Sequence, residues 1–112
     1  MEVKAHLRYL RIAPRKVRLV ADLIRGKDIR EAEKILAFCK KKAAKPLLKL
    51  LKSAIANATH NFNLKEENLF VEKILVNEGP RLKRIFPRAR GSSDILQKKM
   101  SHVTIILNEK KS

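Results

Sequence analysis

The sequence predicts an α+β fold: three helices packed on a small three-stranded antiparallel sheet, with a long extended β-hairpin between the last two strands. Three observations carry that expectation. A strand-like segment stands at the start of the chain, and two short, β-branched-rich ones near its end. Between the first of them and the second, apolar residues recur at helical spacing in three successive stretches. The last two strand-like segments are then separated by a basic, partly apolar stretch too long for a turn. At 112 residues, with no Gly/Ser linker and no internal repeat, the chain reads as a single domain, residues 1–112, with an arm at 80–100 inside it.

In chain order, "VKAHLRYLRI" reads as a first strand from residue 3 to about residue 11, ending near Pro14. "APRKVRLVADLIRG" follows as helix. Pro14 suits a first helical position, and Val17, Val20, Ala21 and Ile24 share one face. Gly26 is the natural stop. Arg15, Arg18, Asp22 and Arg25 lie on the other side, with Arg18 and Asp22 spaced for an i,i+4 ion pair. Asp28 and Glu31 have capping-box spacing at the head of a second helix, whose stripe is Ala32, Ile35, Leu36 and Cys39.

"KKKAAKPLLKLLKSAIANATHN" is the longest helical pattern. Ala44, Leu47, Leu48, Leu51, Ile55 and Ala58 face one way, and Lys45, Lys49 and Lys52 the other. Pro46 lacks a backbone N–H, so the helix starts just before it or bends there. "NFNLKEEN" is a polar loop, and "LFVEKILVNE" and "VTIIL" are the strands that bracket the arm. Val103, Ile105 and Leu107 fall on one side of the last.

The net charge of +16 restricts function more than any motif does. Such an excess repels itself in the compact state and fits a polyanionic partner, either nucleic acid or an anionic membrane surface. The membrane reading is the weaker one: no run approaches the roughly 18 apolar residues of a spanning helix. "MEVKAHLRYLR" has no signal-like apolar stretch, and no transit peptide is seen. Cys39, the single cysteine, can form no internal disulfide and reads as a buried small apolar residue, consistent with a reducing, intracellular setting. With aromatics at 4% and no Trp, the core is expected to be aliphatic.

Charge is densest in the arm. Between residues 80 and 100, seven basic side chains against the one acid Asp94 give +6, leaving +10 for the other 91 residues. Leu82, Ile85, Phe86, Ile95, Leu96 and Met100 are interleaved with that charge, and Gly91 stands near the middle. A floppy surface loop and a short basic targeting address are the bland readings, and neither accounts for the interleaved apolar residues. The third is a two-stranded finger that orders against RNA. An isolated hairpin is marginal in water, and fixing 21 residues costs roughly 20–40 kcal/mol of backbone entropy. Folded RNA can supply the difference through phosphate bonds and apolar contact.

The basic helix faces have two readings, solubilising surface and phosphate contact. The charge balance favours contact for Arg11, Arg15, Lys16, Arg18 and Arg25, with Lys40, Lys41 and Lys42. In "SAIANATHN", Ala54, Ala56 and Ala58 allow close approach of another element, whereas Asn57, His60 and Asn61 have groups that bond to RNA. His6, His60 and His102 are scattered without metal-ligand spacing. Ser101-His102 has no acid to orient the imidazole, and adjacent strand residues point to opposite faces, so His102 reads as RNA-facing or structural. Glu66-Glu67 reads as solvated loop, and no Walker loop or H-E-x-x-H occurs. No catalytic residue, metal or cofactor is expected.

Four blocks resemble one known family: "RKVRLVADLIRGK", "KKAAKPLLKLLKSAIANATHN", "EGPRLKRIFPRARG" and "SHVTIIL". In this order, and spanning nearly the whole chain, they resemble the large-subunit ribosomal protein 22 family in its bacterial form. The resemblance implies an α+β body near the exit of the polypeptide tunnel that contacts several rRNA domains and helps assembly. It also implies a β-hairpin reaching inward, its tip lining the narrow part of the tunnel opposite ribosomal protein 4, along the path of the nascent polypeptide and near where macrolides bind. Carried over, the tip is Arg88, Ala89, Arg90, Gly91 and Ser92. The shaft is Arg81, Leu82, Lys83, Arg84 and Ile85 on one side, and Gln97, Lys98 and Lys99 on the other. Two departures stand out: Ser92 and Ser93 follow where the family commonly has a basic residue, and Ile95 where many bacterial members have Arg. The return strand is less basic than the pattern.

The function expected is therefore a non-enzymatic, rRNA-binding constituent of the large subunit, cytoplasmic on the ribosome. A basic architectural or regulatory DNA-binding protein is the alternative. An enzyme acting on nucleic acid would need a carboxylate cluster or metal site.

Overall fold

The chain runs β1 (Val3–Leu10), α1 (Pro14–Ile24), α2 (Ile29–Phe38), α3 (Ala44–Ala56), β2 (Leu69–Glu78), β3 (Leu82–Pro87), β4 (Ser93–Lys98) and β5 (Ser101–Glu109). The structure is a computed structural model that describes residues 2–80, 82–87 and 93–110, with backbone alone at 82–87 and 93–98.

Strand order in the body is β1-β5-β2, antiparallel throughout, so the last strand is the central one. Alternation puts Val103, Ile105 and Leu107 of β5 on the inner face, all essentially inaccessible to solvent. Val3 and Ala5 join them from β1, and Leu69, Val71, Ile74 and Val76 from β2. The step from Val71 to Ile74 breaks strict alternation because the register shifts between Val71 and Lys73. An extra residue at a bulge turns the following side chains by one position and keeps the inner row apolar.

The three helices cover that inner face. α1 begins at Pro14 and buries Val17, Val20, Ala21 and Ile24 completely. Its C-cap is Arg25, and Gly26 follows at φ +79°, a left-handed turn that glycine makes without strain. The turn then ties to the outer edge of β2: the Gly26 N–H donates to the Val71 carbonyl at 2.8 Å, and the Val71 N–H to the Lys27 carbonyl at 2.9 Å.

Arg18 does not pair with Asp22, as spacing had suggested. It donates to the Val76 carbonyl at 3.0 Å, while Arg25 takes Asp22 and also donates to the Ile74 carbonyl at 2.9 Å. Edge-strand carbonyls are stronger competitors for Arg18 than an exposed carboxylate, because they would otherwise lose water under the helix.

The capping box at α2 does not form either. Asp28 is the N-cap residue but makes no side-chain cap bond. Its Oδ2 accepts instead from Lys110 Nζ at 3.0 Å, which joins the head of α2 to the end of β5. The Lys110 bond, opposed by desolvation and aided by the nearby Arg30 and Ile29 amides, which close no cap hydrogen bond, holds the Asp28 carboxyl below the usual carboxylate range. Ile29, Ala32 and Leu36 are buried, whereas Cys39 at the C-cap is only half-buried against the core.

α3 starts two residues before Pro46, so the proline sits in the first turn, where its missing N–H leaves no bond unmade. Ala44, Leu47, Leu51 and Ile55 are buried as the spacing predicts; Leu50 and Ala54, outside that stripe, join them, and Leu48 is half-buried. A single π-turn over Asn57–Asn61 extends the helix and buries Ala58, with Thr59 Oγ1 donating back to the Ile55 carbonyl at 3.1 Å. Ala56 is exposed.

β3 and β4 pair antiparallel from Leu82 opposite Lys98 to Pro87 opposite Ser93, in a separate two-stranded sheet. They contact each other extensively and the body's elements only marginally. The molecule measures 67 × 26 × 18 Å. The extended hairpin between the last two body strands is thus present in the backbone; its tip, Arg88 to Ser92, lies outside the described residues, as does Arg81.

Three outcomes are expected. Replacing residues 82–99 by an Asn-Gly turn leaves cooperative thermal unfolding of the body intact by circular dichroism; loss of the transition would make the arm part of the core. Arg18→Ala removes a charge-assisted bond to the β2 edge and lowers stability in urea by about 1–2 kcal/mol. Asp28→Asn destabilises at neutral pH. Because the folded carboxyl has the lower pKa, its contribution is complete above the unfolded carboxylate pKa and disappears as pH falls through the folded value. The gap in melting temperature between Asp28→Asn and wild type should therefore close on acidification, and a constant gap would remove the ion pair from the account.

Candidate nucleic-acid interface

Two connections on one side of the body bring five cations together. The link from β1 to α1 is held by Ser101, fully buried, whose Oγ donates to the Ile12 carbonyl at 2.6 Å. The approach to α3 is held by buried Ala43 and by a turn in which the Ala44 N–H donates to the Lys41 carbonyl at 3.0 Å. Between them lies a groove of about 740 Å³ lined by Arg11, Arg15, Lys16, Lys41 and Lys42 over Ile12, Ala13, Leu19 and Ala43. All five cations are exposed, and among the described residues no acid lines the groove. Concave surfaces of one charge sign focus the field and raise the local concentration of counter-ions. Lys40 is exposed in the same run but does not line it.

Arg15 also lines a second groove, of about 460 Å³, with Arg18, Lys99, Glu78, Ala13 and Pro14. That groove carries the basic surface to the root of the arm. Arg18 spends one donor on Val76, but a guanidinium has five N–H groups, so others remain for a ligand. Arg25, bonded to Asp22 and to Ile74, lines neither groove.

Asn57, His60 and Asn61 gather at the end of α3, where His60 and Asn61 are exposed and Asn61 Nδ2 donates to Asn57 Oδ1 at 3.5 Å. Lys83 and Arg84 lie on β3 and Lys98 on β4, with Lys83 opposite Gln97. Three acids, Asp28, Glu72 and Glu109, share a different cleft with Lys110.

A third basic groove, of about 730 Å³, was not anticipated. Lys45, Lys49 and Lys52 of α3 meet His6 of β1 across it, beside Leu7, Leu48 and Ser53. The lysine spacing was visible in the sequence, but the strand opposite it was not.

Ser101 and His102 do not act on each other. The serine hydroxyl is committed to Ile12, while His102 Nδ1 accepts the Tyr9 N–H at 3.1 Å. The imidazole fits because residue 79 is glycine: a Cβ there would lie 3.3 Å from His102 Cε1 and Nε2. Tyr9 has φ +59°, a conformation that costs a bulky residue about 1–3 kcal/mol, and the β1–β5 register shifts around it, between Leu7 and Leu10. Strand alternation from Val3 would send this ring inward; the irregularity leaves it 60% exposed. Among the described residues, no group of three or more His, Cys, Asp or Glu could hold a metal ion, and no helix is long and apolar enough to cross a membrane.

Comparison with known proteins gives this geometry a context. Residues 5–108 match the family model described as Ribosomal protein L22p/L17e. A protein of Thermus thermophilus named large ribosomal subunit protein uL22 is 54% identical over 110 residues, covering 98% of this chain and 97% of its own length. Its namesake in Thermotoga sp. (strain RQ2) is 56% identical over 98% of this chain and 69% of its own. A third, from Thermoanaerobacter sp. (strain X514), is 54% identical over 98% of this chain and 99% of its own. With the match running from β1 to β5 and through every element that shapes the basic grooves, this chain belongs to the ribosomal protein L22p/L17e family.

Proposed function

We propose that the protein is a structural constituent of the large ribosomal subunit that binds rRNA through its body and sends its hairpin arm between rRNA segments. The observation that carries this reading is the groove lined by five cations, in a chain whose relatives are named for that subunit. Arg11, Arg15, Lys16, Lys41 and Lys42 neutralise phosphates of closely approaching strands, and Arg15, Arg18 and Lys99 carry the contact to the arm. Bringing phosphates together in this way removes the repulsion that opposes rRNA compaction, which is how such a protein assists assembly.

The arm supports the same reading. Two strands that pair with each other and lean on almost nothing in the body require an outside scaffold to hold their direction. Lys83, Arg84 and Lys98, with Arg81, are assigned to its rRNA-facing shaft, and Asn57, His60, Asn61, Lys40, Arg25 and His102 to the body's contacts. The tip, Arg88, Ala89, Arg90, Gly91 and Ser92, is assigned to the wall of the nascent-chain tunnel, with ribosomal protein 4 as its neighbour. The protein works on the ribosome, in the cytoplasm, and catalyses nothing.

Binding to protein-free large-subunit rRNA should exceed binding to duplex DNA of equal length and weaken steeply with salt, by roughly 10³–10⁵ between 50 and 200 mM if 6–10 phosphates are engaged. Lys41→Ala and Lys42→Ala should each reduce the log–log salt slope by about one while changing folding stability by less than about 0.5 kcal/mol. Equal affinity for rRNA and DNA would favour a general DNA-binding protein instead.

A further inference from the structure

We infer that Tyr9, braced by His102, is a stacking platform for an unpaired RNA base beside the root of the arm. The inference rests on the RNA-binding reading above and adds to it a site that charge does not reveal. Tyr9 is the chain's one tyrosine, and it occupies a backbone conformation that bulky residues avoid. Glycine would hold the same turn without strain. A strained position filled by a large, 60% exposed aromatic ring is retained for what the ring touches, not for what it buries.

The surroundings fit a base. His102 meets the tyrosine ring edge to face, with centroids 4.9 Å apart and planes at 87°. Whichever ring presents its edge, at least one tyrosine face is left uncovered by this contact. The Tyr9 N–H bond to Nδ1 fixes the imidazole from one side and Gly79 leaves it room on the other, so the platform is positioned before any ligand arrives. Exposed Arg8 and Arg11 flank Tyr9 in sequence, and Arg11 also lines the five-cation groove. A strand whose phosphates follow that groove has cations for its backbone and an aromatic face for a base, the combination that single-stranded RNA requires. A fully paired duplex offers phosphates, 2′-hydroxyls and base edges, but no exposed base face away from its ends.

The test uses the full-length protein with Tyr9→Gly and Tyr9→Phe. Tyr9→Gly removes the ring and relieves the backbone, so its melting temperature should equal or exceed that of wild type. Its affinity for protein-free large-subunit rRNA should fall about 5- to 150-fold with the salt slope unchanged, because stacking releases no counterions. Affinity for a perfectly paired RNA duplex should not change, and Tyr9→Phe should bind rRNA as wild type does. Wild-type rRNA affinity in Tyr9→Gly, an equal loss on duplex RNA, or a Tyr9→Phe loss as large as that of Tyr9→Gly would each overturn the platform while leaving rRNA binding in place. Failure of the wild-type protein to bind rRNA would remove both readings together.

Discussion

β5 holds the molecule together through its place between two antiparallel neighbours. A central strand satisfies its backbone groups on both sides, and in this one Val103, Ile105 and Leu107 also supply the middle of the aliphatic core. The strand begins where the arm ends. Ser101 is buried and bonded to the Ile12 carbonyl, and the Gly79 N–H donates to the Met100 carbonyl at 2.7 Å, so both legs of the arm leave the body from a rigid root. An arm that barely touches the body can still be aimed, because its two points of departure are fixed.

The same economy of contacts shapes the basic surface. Helix–sheet packing buries the apolar stripe of α1 and most of that of α3, and it leaves their cationic neighbours at the rims of grooves. Where a guanidinium is needed for folding, it caps the edge of β2: Arg18 and Arg25 cover the Val76 and Ile74 carbonyls while the turn at Gly26 pairs with Val71. That covered edge cannot add another strand, which matters for a protein with so much extended chain. The five cations that line the first groove stay exposed at its rim.

Much of this was written in local sequence patterns. Apolar spacing marked the buried faces of all three helices, Pro14 and Gly26 their first start and stop, and alternation the inner row of β5. These features follow from the geometry of one element, which a run of ten residues contains in full. The basic, interleaved segment between the last strands likewise announced an arm, because its length and charge have no use inside a small core.

Long-range choices were not local and could not be read. Asp28 has capping-box spacing in its own helix head and took Lys110 from the other end of the chain; Arg18 passed over Asp22 for a carbonyl of β2. Each group went to the partner that folding brought within reach and that desolvation made expensive to leave alone. Tyr9 turned outward because the β1–β5 register slips between Leu7 and Leu10, a property of two strands at once. Chain chemistry, in short, chose the elements and the kind of partner, whereas which side chains meet at the grooves came from packing distant segments around one central strand.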